Sequence, residues 1–126
     1  MHGVQPEFRL RQGGRILGYI RLLNDREWFS LDGMWWRGHS AADVTKDGCV
    51  KDHCTCIQDA RGRWVFHEDI LLVKWKNPLR GHSEMVVSKT SDGFILKQEN
   101  QLLPIEELVF AKRILVTGHR WLMETI

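Results

Sequence analysis

Residues 55–75 read TCIQDARGRWVFHEDILLVKW and carry the clearest local structural signals in the chain. Asp59 precedes a turn at Gly62, and the apolar run at residues 70–73 is typical of a buried strand. A carboxylate before a turn can accept backbone N–H bonds, and glycine reaches the positive φ that such a turn requires. Asp69 stands at the entrance of the apolar run, where its carboxylate can cap the preceding turn. The stretch therefore predicts strand, tight turn and strand.

Short extended runs separated by glycine turns continue on both sides of this stretch. Residues 7–12 and 15–23 flank Gly13-Gly14, and a helix over the second run is disfavoured by its central glycine. Asp32-Gly33 lies between aromatic-rich flanks, which is the strongest short signal for a two-residue hairpin. Residues 38–53 predict a loop with one helical turn. The remaining expectations are strands at 63–66, 69–75, 84–89, 94–98 and 113–118, and a short helical turn within 102–108.

This pattern predicts a mostly β fold, specifically a small, partly open β-barrel of the SH3-like kind. An N-terminal β-hairpin extension and one short helical turn complete it. The length of 126 residues favours a single domain over 1–126, with 1–53 as the extension and 54–126 as the barrel core. Hydrophobic residues at 43% and charged residues at 27% are ordinary globular values, which exclude wholesale disorder.

The opening stretch resembles the signature of the YopX-like family of small phage and prophage proteins. The resemblance covers roughly residues 54–121, and two family glycines are replaced, by Cys56 and Glu68. It implies a small β-barrel, a gene carried by a phage or mobile element, and no catalytic residues. The matching positions are Thr55, Ile57, Asp59, Gly62, Val65, Phe66, Asp69 and Ile70.

From this context we expect a non-enzymatic binding module without a cofactor, acting in the cytoplasm of a bacterial host. Its partner would be a host or phage protein complex, and its concrete role the inhibition of a host defence complex such as a CRISPR effector. Tryptophan and arginine dominate protein-interface hot spots. The candidate partner-binding residues are therefore Trp28, Trp35, Trp36, Arg37, Arg61, Arg63 and Trp64, although the paired rings at 35–36 also fit a core position.

The alternative function is nucleic-acid binding through the N-terminal part of the chain. Residues 1–40 hold six arginines and no lysine against four acidic residues. A guanidinium-rich face suits phosphates, and the competing interpretation is a solvated strand face. The candidate residues are Arg9, Arg11, Arg15 and Arg21. An uncovered edge strand in the same region could pair with its copy across a two-fold axis, so a homodimer is a further alternative.

All three cysteines lie within residues 49–56, close to His53. Cys49, His53, Cys54 and Cys56 are candidate zinc ligands, but the spacing lacks the paired C-x2-C knuckles of ordinary zinc sites. Reduced, partly buried thiols are the favoured interpretation, because the odd count argues against a disulfide framework. No apolar run approaches the roughly 20 residues of a membrane span, and no secretory signal is visible.

Overall fold

The computed structural model describes residues 5–35, 38–45 and 48–123. Short helical segments at Ala41–Asp43 and Ile105–Phe110 are 3-10, and α1 covers Arg120–Met123. No helix in these ranges is long and apolar enough to cross a membrane. The strands are β1 (Phe8–Gln12), β2 (Arg15–Leu23), β3 (Arg26–Ser30), β4 (His39–Ser40), β5 (Cys49–Gln58), β6 (Trp64–Phe66), β7 (Asp69–Trp75), β8 (His82–Thr90), β9 (Gly93–Gln98), β10 (Gln101–Pro104) and β11 (Ala111–His119). The prediction of a mostly β chain is confirmed.

The strands form two antiparallel sheets, and the contacts divide the chain into two compact units, Met1–Cys56 and Ile57–Ile126. The first sheet has the order β4-β3-β2-β1-β5-β6, and the second has the order β10-β9-β8-β7-β11. Within the described ranges, both orders are open, so neither sheet closes into a barrel on its own. The boundary predicted between residues 53 and 54 lies inside β5, which itself runs across the division.

The first unit has a small core under consecutive hairpins. Leu10, Ile20, Phe29 and Ala41 are buried there. Gly18 is required beneath Phe29, since a Cβ at this position would lie 2.5 Å from the phenyl ring. The β1–β2 turn at Gly13-Gly14 is found as predicted.

The next hairpin turn lies at Asn24-Asp25, where both residues have positive φ, 49° and 65°. These are the values that a type I′ turn requires, and asparagine and aspartate tolerate them. The prediction of a two-residue hairpin at Asp32-Gly33 is wrong, because β3 ends at Ser30 and pairs with His39–Ser40 across a longer loop. The Asp32 carboxylate instead accepts the Met34 N–H at 2.9 Å.

The second unit is built on β7, whose predicted bounds at residues 69–75 are confirmed. Its alternate residues Leu71, Val73 and Trp75 point into the core, as strand geometry dictates. The predicted hairpin between residues 84–89 and 94–98 is confirmed by the pairing of β8 with β9. The other buried core members are Val65, Met85, Val87, Leu96, Ile105 and Val116.

The loop predicted over residues 38–53 is wrong in its last part, where β5 begins at Cys49. Its helical turn is confirmed at Ala41–Asp43. The start of β5 is polar because Asp52 faces the interior and is fully buried against Arg9. A strand whose inward position is a charged residue gives no apolar alternation, so the pattern in the sequence resembled a loop.

Candidate binding surface

The turn after β5 is organised by the Asp59 carboxylate, which is itself buried. Oδ1 accepts the backbone N–H groups of Arg61 and Arg63, at 3.0 and 2.9 Å. Oδ2 accepts Arg63 Nε and the backbone N–H of Val116 in β11, each at 3.0 Å. Gly62 has a φ of 77°. The predicted carboxylate-capped turn is confirmed, and it also binds an edge strand.

The same turn covers part of the open edge of β11. Ala60 donates its N–H to the Ile114 carbonyl at 2.9 Å, and Arg63 Nη2 donates to the Val116 carbonyl at 2.7 Å. Burial raises the pKa of Asp59, but the hydrogen bonds from Val116, Arg63 and Arg61 outweigh it and hold the pKa below its ordinary value. The ionised carboxylate is therefore part of the folded turn.

The second predicted cap, at Asp69, is also confirmed. Its Oδ2 accepts the Phe66 N–H at 2.8 Å, and its Oδ1 lies 2.8 Å from His119 Nδ1. Glu68, beside it, has a φ of 78° and binds the Arg120 guanidinium through Oε1 at 2.9 Å. These contacts attach the C-terminal end of β11 to the β6–β7 turn. They give the acidic pair a structural role in the second unit.

A groove of about 470 Å³ opens in the second unit between the Asp59 turn, the 3-10 helix Ile105–Phe110 and the start of β11. Apolar side chains contribute much of its lining, and Glu106, Lys112 and Arg113 add charge. Its volume is within the range of sites that accept a small ligand or a few side chains of another protein. The apolar lining residues are Ile57, Ala60, Ile105, Leu108, Val109, Ala111 and Ile114.

Three exposed apolar residues at this end of the second unit form what we call the apolar rim: Leu79, Val109 and Phe110. Their exposed fractions are 96%, 65% and 55%. The β7–β8 loop that carries Leu79 is tied to the 3-10 helix, because Lys76 N–H donates to the Phe110 carbonyl at 2.9 Å and Arg80 pairs with Glu107 at 3.1 Å. Arg80 also stacks 3.5 Å above the Trp75 ring. The rim therefore stands on anchored backbone.

The tryptophan face predicted in the first unit is only partly described. Trp36 and Arg37 lie outside the described residues. Trp28 is half-buried, and its Nε1 donates to the Trp35 carbonyl at 3.0 Å. Gly38 lies directly against it, since a Cβ there would be 2.3 Å from Trp28 Nε1. Trp28 thus holds the loop together, and Trp35 is half-buried as well.

The predicted contact residues of the second unit differ in their surroundings. Arg63 is bound to Asp59 and Val116, so its guanidinium belongs to the turn. Arg61 is exposed, and Trp64 is half-buried in β6.

The predicted N-terminal arginine face requires a correction. Arg9 is 2% exposed, and its Nη2 lies 3.1 Å from Asp52 Oδ2. Arg11 Nε reaches the same oxygen at 2.9 Å. Arg9 is therefore an interior ion-pair residue, because its strand face turns towards a buried carboxylate. Arg15 is exposed and Arg21 is half-buried, so the four residues do not form one exposed face.

The candidate zinc ligands are not arranged as a metal site. Within the described ranges, no three histidine, cysteine or acidic residues are grouped to hold a metal ion. Cys54 is buried and Cys56 is exposed, since a φ of 71° at Cys56 interrupts the alternation of the strand. Cys49 is half-buried, and His53 packs edge-on against Phe8 with ring centroids 5.0 Å apart.

Comparison with known proteins gives no match: no family model, no curated protein and no solved structure resembles the chain significantly. The groove and the apolar rim were missed by reasoning from the sequence. The sequence feature that points to them is the run Leu108-Val109-Phe110 after an acidic turn. An apolar triplet in a sequence does not show which of its members are exposed, so the run alone does not indicate a surface.

Proposed function

We propose that this chain is a non-enzymatic binding module whose second unit contacts another protein through the apolar rim and the adjacent groove. The observation that carries the proposal is the exposure of Leu79, Val109 and Phe110 on backbone that is held in place. Exposed apolar groups next to a concave surface are typical of interaction sites. Aromatic anchors such as Phe110 are enriched at interfaces.

The context we propose is a phage or mobile element, with the target a host protein complex such as a CRISPR-type defence effector in the bacterial cytoplasm. Support comes from the two positions at which the chain departs from the YopX-like signature. Cys56 and Glu68 replace family glycines, and both have positive φ, 71° and 78°. Glycine is the residue that such backbone favours. The backbone at both positions therefore agrees with the pattern, although the residues differ.

The first experiment is a tagged pull-down from bacterial host lysate, with and without nuclease, followed by mass spectrometry and an affinity measurement on the recovered partner. We expect a stoichiometric protein partner that survives nuclease. The double variant Val109→Ser/Phe110→Ser should weaken its binding at least tenfold, because two exposed anchors are removed.

The matched control is Leu31→Ser, which removes an apolar side chain that is 76% exposed in the first unit. We expect it to leave the affinity within about twofold, as most exposed contacts outside a hot spot are nearly neutral. Full binding by a folded Val109→Ser/Phe110→Ser protein would contradict the proposed site. A matching loss in Trp35→Ala would instead place the contact in the first unit.

The conformation of Cys56 gives a separate prediction on stability. Cys56→Gly should raise the free energy of unfolding by about 0.5–1 kcal/mol, because a left-handed backbone costs a non-glycine residue roughly 1–2 kcal/mol. Cys56→Ala is the matched control, since it also loses the contact of Gln5 Nε2 with Sγ at 2.9 Å but keeps the unfavourable φ. Urea unfolding of both proteins measures the difference. Equal stabilities would count against backbone strain at this position.

A further inference from the structure

The outer face of the five-stranded sheet carries a row of basic residues on three adjacent strands. Lys74 of β7 lies directly opposite Arg113 of β11 on one side and opposite His82 of β8 on the other. Residues paired in this way project from the same face of a sheet. The neighbouring Val73 and Trp75 point into the core, so this face is the outer one. All three basic side chains are exposed. We call them the cationic row.

The arrangement of the cationic row is unfavourable for the free protein. Directly opposed side chains have Cβ atoms about 4.5–5.5 Å apart, and like charges at that spacing repel. In the part of the chain that the structure describes, neither Lys74 nor Arg113 has a carboxylate within ion-pairing distance. Glu84 is on the same face, opposite Leu72, and makes no ion pair there.

More positive charge lies beside the cationic row and farther along the same face. Lys112 is exposed next to Arg113 at the start of β11. Lys97 of β9 is exposed on the outer face, opposite Val86 of β8. The face therefore offers several cations around the carboxylate of Glu84.

The chemistry of the row favours phosphate over a protein surface. The cores of protein interfaces are depleted of charged residues, lysine in particular, whereas this row has charge at its centre. Strands lie about 4.8 Å apart, so the row spans about 10 Å, over which one strand of a duplex presents about three phosphates. Lysine and arginine supply positive charge, and a histidine ring N–H can donate to phosphate oxygen in either protonation state.

We propose that the cationic row of Lys74, His82 and Arg113 is a binding site for the phosphodiester backbone of nucleic acid. Contacts of this kind position a protein on nucleic acid without reading its sequence. The row shares Arg113 with the groove described above, whereas Lys74 and His82 lie outside both the groove and the apolar rim. The test therefore uses Lys74, and its outcome does not depend on the protein partner proposed above.

The test is fluorescence anisotropy of the whole chain with labelled 20-nucleotide single-stranded and duplex DNA of random sequence, over a series of salt concentrations. Lys74→Glu should weaken binding at least tenfold and reduce the slope of log affinity against log salt by about one, as expected for a lost phosphate contact. It should also raise Tm, because a carboxylate between Arg113 and His82 replaces repulsion by attraction.

Arg26→Glu is the matched control, because it makes the same charge change at an exposed residue of the other sheet. We expect it to alter affinity by less than about threefold. Equal losses in the two variants would reduce the effect to net charge and overturn the site. The site would also be overturned by an absence of DNA binding at low salt or by a lower Tm for Lys74→Glu. Equally tight binding of polyglutamate would overturn it as well, because that would indicate an acidic protein partner.

Discussion

Asp52→Ala is expected to lower the free energy of unfolding by about 3–5 kcal/mol, the usual cost of leaving one member of a buried ion pair without its partner. Asp52 is fully buried and Arg9 is 2% exposed. Arg9 Nε and Nη2 lie 3.2 and 3.1 Å from Asp52 Oδ2, and Arg11 Nε lies 2.9 Å from the same atom. Alanine would leave the Arg9 guanidinium in the interior without a compensating charge.

Urea unfolding measures this loss, and Glu27→Ala is the control. It breaks the Lys51–Glu27 ion pair, whose side chains are 34% and 36% exposed. A pair so open to solvent contributes about 1 kcal/mol or less. An Asp52→Ala loss no larger than that of the control would contradict a buried ion pair.

Replacing both Arg9 and Asp52 by apolar residues tests whether the cost of Asp52→Ala comes from the unpaired charge. Arg9→Met/Asp52→Leu should recover part of the stability, since an apolar pair of similar volume often equals a buried ion pair. The recovery is incomplete because Arg11, whose side chain is 15% exposed, still loses its carboxylate partner. Asp52 Oδ1, which is buried, has no hydrogen-bond partner within the described ranges, so the native arrangement carries a desolvation cost of its own. A double variant as unstable as Asp52→Ala would show that the pair is needed for more than charge compensation.

The second unit was well predicted because its signals are local. Apolar residues occupy most positions of β7, which is typical of a buried strand. The β8–β9 hairpin is marked by a polar, glycine-containing turn. The caps at Asp59 and Asp69 depend on residues a few positions apart, so the sequence alone indicates them. The bonds that tie these carboxylates to β11, from Val116 to Asp59 and from His119 to Asp69, span 57 and 50 residues and were beyond local reasoning.

The first unit was predicted less well because its decisive contacts are not local. Arg9 and Asp52 are 43 residues apart, and each appears in sequence as an ordinary exposed charge. The Asp32-Gly33 pair predicts a hairpin turn, whereas the turn forms at Asn24-Asp25, where both residues have the required positive φ. Both dipeptides permit a tight turn, and strand pairing decides which one forms it.

The candidate surfaces were not predicted because they depend on which strands become neighbours. The cationic row joins residues of β7, β8 and β11 that are far apart in sequence. The apolar rim joins the β7–β8 loop to a 3-10 helix about 30 residues later in the chain. Periodicity assigns a residue to a face of its own strand, but it does not give the strand order.

Asp59→Asn is expected to lower the free energy of unfolding by about 2–4 kcal/mol. Asparagine has the same shape, so the turn loses charge and acceptor capacity with little change in volume. With its Oδ1 kept towards Arg61 and Arg63, its NH2 group would face two other donors, Arg63 Nε and the Val116 N–H. Asp92→Asn, at an exposed hairpin turn, is the control, and we expect it to stay within about 0.5 kcal/mol of wild type.

The stability contributed by Asp59 should also depend on pH in a defined direction. Since its pKa is lower in the folded chain than its ordinary value of 3.8, the folded turn favours the ionised carboxylate. The contribution is therefore complete above the unfolded pKa and is lost as the pH falls through the folded pKa. Unfolding free energies measured from pH 7 down to about pH 2 should show wild type converging on Asp59→Asn below pH 4. Parallel profiles for the two proteins would mean that the carboxylate does not supply this stability as an ion.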